Sequence, residues 1–240
     1  MSSSVRLPAA VKPQLDFWRR QLEGMAAPIE LPADRLRPSG PLLRRAEEHL
    51  RLPEGLLDAL ELVAQRHGVD LPLTLLAGFL ALLHRYTGRE DLVVGSPVTA
   101  GASLLPLRVN AGGDPTFSEL LGRTSEAVRA ASAHQELTLE ELAADLEPEP
   151  DPSRHPLFQV AFLPGANLNG DGLDLELGLA HCETGPALAA SYSSDLFEAA
   201  TVRRLLGHLL NLLEGVAGEV DSIRVSALPL LGPEEREQVL

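Results

Sequence analysis

An apolar stretch from Leu71 to Leu83, ended by His84 and Arg85, constrains the fold of this chain more than any other feature. It is shorter than the roughly 20 apolar residues that a membrane-spanning helix needs, so it predicts a helix buried inside a protein, from Leu73 to Tyr86. The apolar segment Asp91–Val98 follows directly and predicts a strand in the interior of a sheet. A buried helix beside an interior strand indicates a layered fold built from both kinds of element.

Periodic patterns predict the other elements. Apolar residues spaced three and four apart indicate helices, and two of these helices begin with a capping box, Thr116 with Glu119 and Thr138 with Glu141. The helices predicted in this way are Pro13–Gly24, Pro53–His67, Thr116–His134, Leu139–Leu146 and Ala199–Val216. The further strands predicted are Leu43–Leu52, Leu104–Val109, Leu157–Leu163, Leu173–Ala180 and Ala187–Ser193.

The segment Leu173–Ala180 alternates leucine with polar or small residues. This alternation predicts a strand with one covered face, on which the leucines lie, while Asp174 and Glu176 lie on the other face. Strands cluster in some parts of the chain and alternate with helices in others. We therefore expect one α/β fold of 240 residues, a mixed β-sheet with helices packed mainly on one face.

The composition narrows the classes of function. Lys and Arg total 20 against 34 Asp and Glu, and the net charge of −14 argues against nucleic acid or an anionic membrane surface as a partner. Cys182 is the only cysteine, so neither an internal disulfide nor a cysteine-based zinc site is expected. The N-terminus has no apolar signal-peptide core. These features are typical of a soluble cytoplasmic protein.

The sequence shows no self-contained active site. Ser96 stands in the string VGSPV, which fails both glycine positions of a nucleophile elbow and suits a strand end better. Among the seven histidines, only His134 and His155 stand in distinctive strings. The carboxylates of the segment Glu140–Asp145 share one short predicted helix, where a solvated face explains them better than an acid–base pair does.

Several strings, taken in order, resemble the C-terminal lobe of the condensation domains of nonribosomal peptide synthetases. HQELTLE, from His134 to Glu140, resembles the family motif HQDxPFE, and DPSRHPLFQV, from Asp151 to Val160, resembles RDxSRNPLFQV. LLHRYTGREDLVVGSPV, from Leu82 to Val98, is similar to LLxRYTGQxDIVVGTPV. Shorter strings resemble further parts of the lobe and bring the resemblance to essentially the whole chain. These are Phe17–Gly24, Leu31–Arg35, Asp195–Phe197 and Leu228–Leu231.

The sequence also departs from the family pattern. The catalytic motif HHxxxDG of the family lies in the N-terminal lobe, and this sequence contains no His-His pair. The stretch between Pro97 and Leu104 is shorter than the family's GR…IGFFVNTLPLRV, and the stretch between Phe162 and Leu173 is shortened as well. A sequence released from catalysis is expected to lose elements that cross between lobes.

The resemblance implies a single chloramphenicol-acetyltransferase-like lobe at residues 43–218. An N-terminal helix and Pro-rich linker at 1–42 would precede it, and a tether toward a downstream adenylation domain at 219–240 would follow. We expect no metal and no directly bound cofactor, because the family's substrates arrive on the phosphopantetheine arms of carrier proteins. We assign the motif residues structural roles, Asp151 and Arg154 as a loop-locking pair and His134 as a helix-terminal hydrogen bonder. The full set is His134, Gln135, Glu140, Asp151, Arg154, His155 and Pro156.

Two functions follow from these observations. The favoured one is a non-catalytic partial condensation domain, an interaction module that supports the adjacent adenylation domain. The alternative is half of an amide-forming enzyme, completed by a complementary condensation lobe or by a second copy of the chain, with His134 as a weak catalytic candidate facing a joint tunnel. An independent acyltransferase with His134 as the base is weaker, because the sequence fixes no group to orient it. A further hypothesis is that the sequence is a piece of a longer protein.

Overall fold

The computed structural model describes residues 11–25, 28–99, 102–146, 151–165, 168, 172–183, 185–219, 222–232 and 235–237. The helices are α1 (Val11–Leu22), α2 (Leu56–Arg66), α3 (Leu71–Thr87), α4 (Phe117–Ser132), α5 (Leu139–Leu146) and α6 (Ala199–Glu219), with a short 3₁₀ helix at Val225–Ala227. The strands are β1 (Arg45–Arg51), β2 (Asp91–Pro97), β3 (Leu104–Asn110), β4 (Val160–Leu163), β5 (Leu175–Cys182) and β6 (Gly185–Ser193). Each predicted helix and strand overlaps one of these elements. The two shortened stretches include residues outside this description, at 100–101, 166–167 and 169–171.

The described strands form one mixed sheet in the order β1-β6-β5-β4-β2-β3. β2 and β5 each have one antiparallel and one parallel neighbour, and β4 is parallel to both of the strands beside it. The β2–β4 pairing is short, because Gly95 and Ala161 are its only matched residues within the described part of the chain. Helices α2, α3, α4 and α6 pack together over one face, and Phe79 of α3 contacts Phe162 of β4. The predicted mixed sheet with helices mainly on one face is confirmed.

The helix α3 is the buried centre of the helical layer. Residues 74–83 are all buried. The helix begins where Asp70 accepts a hydrogen bond from the Leu73 N–H at 3.0 Å, and it ends at Gly88, whose φ of 67° is the left-handed conformation that glycine tolerates. Among the described residues, no single helix is long and apolar enough to span a membrane; only α2 and α3 together have that length and composition, and they meet at a bend of 98°.

The prediction that β5 has one open face is wrong. The leucines are buried as expected, but Asp174 and Glu176 on the opposite side are only 2% and 1% exposed. Arg37, in the segment before β1, pairs with Asp174, and Arg45 of β1 lies 3.5 Å from Glu176. These arginines therefore cover Asp174 and Glu176 on the second face of the sheet, and both carboxylates are buried in ion pairs.

Element ends differ from the predictions by a few residues for local reasons. α2 begins at Leu56 because Gly55, with φ 79°, takes a left-handed conformation after Pro53. α4 ends at Ser132, which leaves His134 in the turn that follows. Both predicted capping boxes are present, with Glu119 N–H to Thr116 Oγ1 and Glu141 N–H to Thr138 Oγ1 at 3.2 Å each.

Replacing Gly178 with alanine is expected to destabilise the lobe by about 3 kcal/mol, the upper end of typical overpacking costs. A methyl group there would lie 2.3 Å from the carbonyl oxygen of Leu163 in the paired strand β4, and a backbone atom cannot step aside. Gly122→Ala on α4 is the control, since nothing lies within 4 Å of an added methyl group. The midpoint of urea unfolding measures both variants, and a wild-type midpoint for Gly178→Ala would contradict the β4–β5 register.

Candidate functional site

A cavity of about 620 Å³ lies where β2 and β4 separate beyond the Gly95–Ala161 pair. The ends of these two strands form its sides, the start of α3 forms one wall, and Val128 of α4 closes part of another. The cavity exists because two parallel strands diverge, which is the position at which α/β folds commonly place ligands. Its lining residues are Asp70, Pro72, Leu73, Leu76, Ser96, Pro97, Val98, Thr99, Ala102, Val128, Phe162, Leu163, Pro164 and Gly165.

The cavity is lined mainly by apolar side chains and has few polar groups. Ser96 at the end of β2 is 2% exposed and contributes a buried hydroxyl to the lining. Asp70 is the only titratable side chain among the described lining residues, and one of its oxygens caps α3. The lining can hold an apolar group, but its described residues include no pair suited to general acid–base catalysis.

His134 lies outside this cavity. Its Nδ1 donates to the Ala130 carbonyl at 2.8 Å, and its ring stacks on Phe17 of α1 with centroids 3.7 Å apart and an interplanar angle of 3°. The His134 carbonyl in turn accepts a hydrogen bond from Trp18 Nε1 at 2.9 Å. These contacts join the end of α4 to α1, which is the geometry of a helix-terminal hydrogen bonder.

Asp151 and Arg154 organise the loop that leads into β4. Asp151 Oδ1 accepts hydrogen bonds from the Ser153 N–H and hydroxyl at 2.8 and 2.7 Å, and the hydroxyl is the main reason that the pKa of Asp151 lies below its ordinary value. Arg154 Nε donates to Asp151 Oδ2 at 3.1 Å, and its Nη2 pairs with Glu30. Arg154 therefore pairs with Asp151 within the loop and with Glu30 in the segment before β1.

His155 continues the same loop into the sheet. Its Nδ1 accepts long hydrogen bonds of 3.4 Å from the N–H groups of Leu157 and Phe158, and burial lowers the pKa of the imidazole. The ring of Phe158 packs on His155 and also lies over Gly95, where an added methyl group would be 2.3 Å from that ring. Pro156 is exposed. This motif therefore supports the β2–β4 junction that borders the cavity.

The remaining motif residues lie at the surface of α5 and the turn before it. Gln135 and Glu140 are both exposed. The charge of Glu140 acts on His155, so the two motifs lie near one another in space. Asp145 of the same helix pairs with Arg19 of α1 at 2.6 Å. Glu140 therefore lies on an exposed face of α5, whereas Asp145 joins two helices.

Sequence reasoning missed the polar residues that join the N-terminal segment to the sheet. Arg37 pairs with Asp174 and donates to the Ser153 carbonyl at 2.8 Å, which links three parts of the chain. Burial raises the pKa of Asp174, and the Arg37 guanidinium opposes that shift. The sequence signal was that Asp174 and Glu176 share the polar side of an alternating strand, which does not identify their partners.

A second set of contacts joins the segments Leu31–Arg35 and Asp195–Phe197 near the start of α6. Asp34 accepts hydrogen bonds from the Glu198 N–H at 2.7 Å and the Thr201 hydroxyl at 2.8 Å, and the Glu198 N–H lowers its pKa. Asp195 accepts from the N–H groups of Leu43 and Arg44. The two strings are therefore halves of one structural unit.

The fold and the motif loops together define a lobe of the condensation type. The family model described as "Condensation domain" matches residues 3–164, and the chain belongs to this family. One of the proteins that form linear gramicidin synthase in Brevibacillus parabrevis is 34% identical over 260 aligned positions, which cover 95% of this chain and 3% of that protein. Phosphinothricin tripeptide synthetase PhsB from Streptomyces viridochromogenes is 33% identical, over 94% of this chain and 22% of that protein. The chain therefore spans only a small part of the length of these curated relatives.

Solved structures agree with this assignment. The X-domain in its complex with OxyB from teicoplanin biosynthesis is 30% identical, has a TM-score of 0.83, and is matched over 92% of this chain and 56% of that one. The four-domain nonribosomal peptide synthetase AB3403, bound to AMP and glycine, is 18% identical with a TM-score of 0.86, over 96% of this chain and 21% of that one. The predicted chloramphenicol-acetyltransferase-like fold is confirmed.

Proposed function

We propose that this chain is a non-catalytic partial condensation domain, a structural and interaction module of a nonribosomal peptide synthetase that supports an adjacent adenylation domain. The observation that carries this proposal is the likeness of the chain, at 30% identity and a TM-score of 0.83, to an X-domain solved in complex with another protein. The C-terminal motif residues support it, because His134, Asp151 and Arg154 all make hydrogen bonds within the lobe. Residues 1–42, 43–218 and 219–240 would serve as linker, lobe and tether.

The resemblance to the X-domain supports an interaction role. That domain belongs to the same structural group and has been solved in complex with OxyB, a separate protein of teicoplanin biosynthesis. A domain similar to this lobe is thus known in complex with another protein. For this chain we expect the adenylation domain as the partner, in the cytoplasm, and the phosphopantetheine arms of carrier proteins as features of the parent assembly.

The alternative is half of an active enzyme, completed by a complementary lobe or by a second copy. The open cavity at the β2–β4 junction favours it. This cavity has a volume of about 620 Å³ and an apolar lining, as one half of a substrate tunnel would have. Attack of an amine on a thioester also needs a positioned polar group and exclusion of water, which a partner would have to supply. Such a pair should bury more than roughly 1,000 Å².

An amide-transfer assay tests the proposal. We would mix the chain with an acyl-loaded donor carrier and an aminoacyl-loaded acceptor carrier, and follow both by intact-protein mass spectrometry. We expect no transfer above background with the chain alone or with a candidate N-terminal lobe, while a complete condensation domain gives product. Transfer that requires the added lobe or a second copy would support the alternative instead.

The variant His134→Ala separates the two functions. Under the proposal it lowers the free energy of unfolding by about 1–2 kcal/mol, through the lost hydrogen bond and ring stacking, and changes no turnover. His181→Ala, at an exposed position near the end of β5, is the control and should change neither quantity. Transfer that depends on His134 and not on His181 would overturn the structural role.

A further inference from the structure

The residues that follow α6 pack back onto the lobe in two parts. The first part, residues 222–228, is integrated in the core. Val225 and Leu228 are 0% and 2% exposed, the Ile223 carbonyl accepts from the Phe117 N–H at the start of α4, and Arg85 donates to the carbonyls of Val225 and Leu228. This part cannot leave without opening the helical layer.

The second part, residues 229–232 and 235–237, is named here the strap. Its leucines, Leu230 and Leu231, are only half-buried. The Leu230 carbonyl accepts a hydrogen bond from Asn211 at 2.9 Å, and Glu235 lies 3.0 Å from His208. Glu235 also accepts from the Gly232 N–H at 3.1 Å, so the strap is closed on itself by one turn. These polar contacts hold the strap together with Leu230, which is partly buried and packs against the core.

The strap lies along a separate stripe of α6. His208, Asn211 and Gly215 recur at spacings of three and four, which places them on one side of the helix, beside the leucine stripe that faces the core. Gly215 permits the closest approach, because an added methyl group would be 2.5 Å from Pro229. By contrast, nothing lies within 4 Å of a methyl group added at Gly207 on the same helix.

A relay of three side chains fixes the proton positions on His208. Burial raises the pKa of Tyr86 to about 12, so its hydroxyl keeps its proton and donates to His208 Nδ1 at 2.6 Å. With Nδ1 accepting from Tyr86, His208 donates its Nε2 proton to the Glu235 carboxylate at 3.0 Å. The Gly232 N–H and then His208 hold the pKa of Glu235 below its ordinary value, and the charge of Arg204 acts in the same direction.

We propose that the strap is a separable clasp, which can leave α6 while the rest of the lobe stays folded, and that His208 is the positioning residue that holds it docked. Local opening of this kind is expected where few apolar contacts and several polar ones hold a segment. With the strap docked, the chain leaves the lobe at a fixed point. If the proposed function is correct, the clasp also sets the orientation of the adenylation domain.

Hydrogen–deuterium exchange on the purified chain tests the clasp. The amides of Gly232 and Arg236 are hydrogen-bonded in the docked strap, and those of β6 report on the core. His208→Ala should raise exchange in the strap by about tenfold, as expected for loss of a hydrogen bond to a charged group, with no change in β6. Gly215→Ala should raise strap exchange as well, by contact with Pro229 and without touching the relay.

Gly207→Ala is the matched control and should leave strap exchange at the wild-type rate. Unchanged strap exchange in both His208→Ala and Gly215→Ala would overturn the proposal. An equal rise in the strap and in β6 would also overturn it, because the strap would then open only with the whole lobe. The assay uses no partner and no turnover, so its outcome is independent of the amide-transfer result.

Discussion

Replacing Leu209 with aspartate is expected to unfold the lobe. Leu209 is 1% exposed on α6, and it packs with Leu213 against Gly78 of α3, where an added methyl group would be 3.8 Å from Leu209 Cδ1 and 2.7 Å from Leu213 Cδ2. A carboxylate at this place would be buried without a partner. The cost should exceed about 4 kcal/mol, a large fraction of the roughly 5–15 kcal/mol that stabilises a typical domain.

Solubility, far-ultraviolet circular dichroism and a thermal melt measure this effect. Leu62→Asp is the matched control, because Leu62 of α2 is 59% exposed and an aspartate there stays in water. We expect that control to lie within about 0.5 kcal/mol of wild type. A soluble Leu209→Asp variant with a cooperative melt would show that this stripe of α6 does not face the core.

Replacing Arg37 with alanine is expected to cost about 3–5 kcal/mol, the usual effect of removing one member of a buried ion pair. The side chains of Arg37 and Asp174 are 18% and 3% exposed, so the Asp174 carboxylate would have little access to water once Arg37 is removed. Burial already raises the pKa of Asp174, which shows the cost of its charge at this place. Chemical unfolding gives the change in free energy.

The double variant Arg37→Leu with Asp174→Leu should recover much of that loss, because replacing both charges by apolar side chains leaves neither unpaired. Arg66→Ala, at an exposed position of α2, is the control for removing an arginine and should cost less than about 0.5 kcal/mol. A loss for Arg37→Ala no larger than that of Arg66→Ala would mean that the pair contributes little to the fold.

The Arg37 result also bears on the proposed boundary at residue 42. The segment before β1 supplies Asp34 to the start of α6, Arg37 to the sheet and Glu30 to the loop before β4. Trp18 of α1 is fully buried in the same core. A large loss of stability would therefore make residues 28–42 part of the lobe, rather than a linker that only connects it to other domains.

The sequence by itself determined the elements whose formation is local. The run from Leu71 to Leu83 has no polar stripe, so it could only be a helix covered on all sides, and α3 is one. The capping boxes at Thr116 and Thr138 were readable because their two partners are three residues apart. The family motifs identified the lobe, since their residues are contiguous strings.

The tertiary structure alone decided what lies on the second face of the sheet. Alternation along β5 reports which residues share a face, but a polar face open to water and one covered by arginines have the same pattern. Asp174 is buried because Arg37 reaches it from 137 residues away in the sequence, and no local spacing encodes such a contact. The cavity at the β2–β4 junction and the relay from Tyr86 through His208 to Glu235 were hidden for the same reason. Each depends on side chains that only the packing of distant elements brings together.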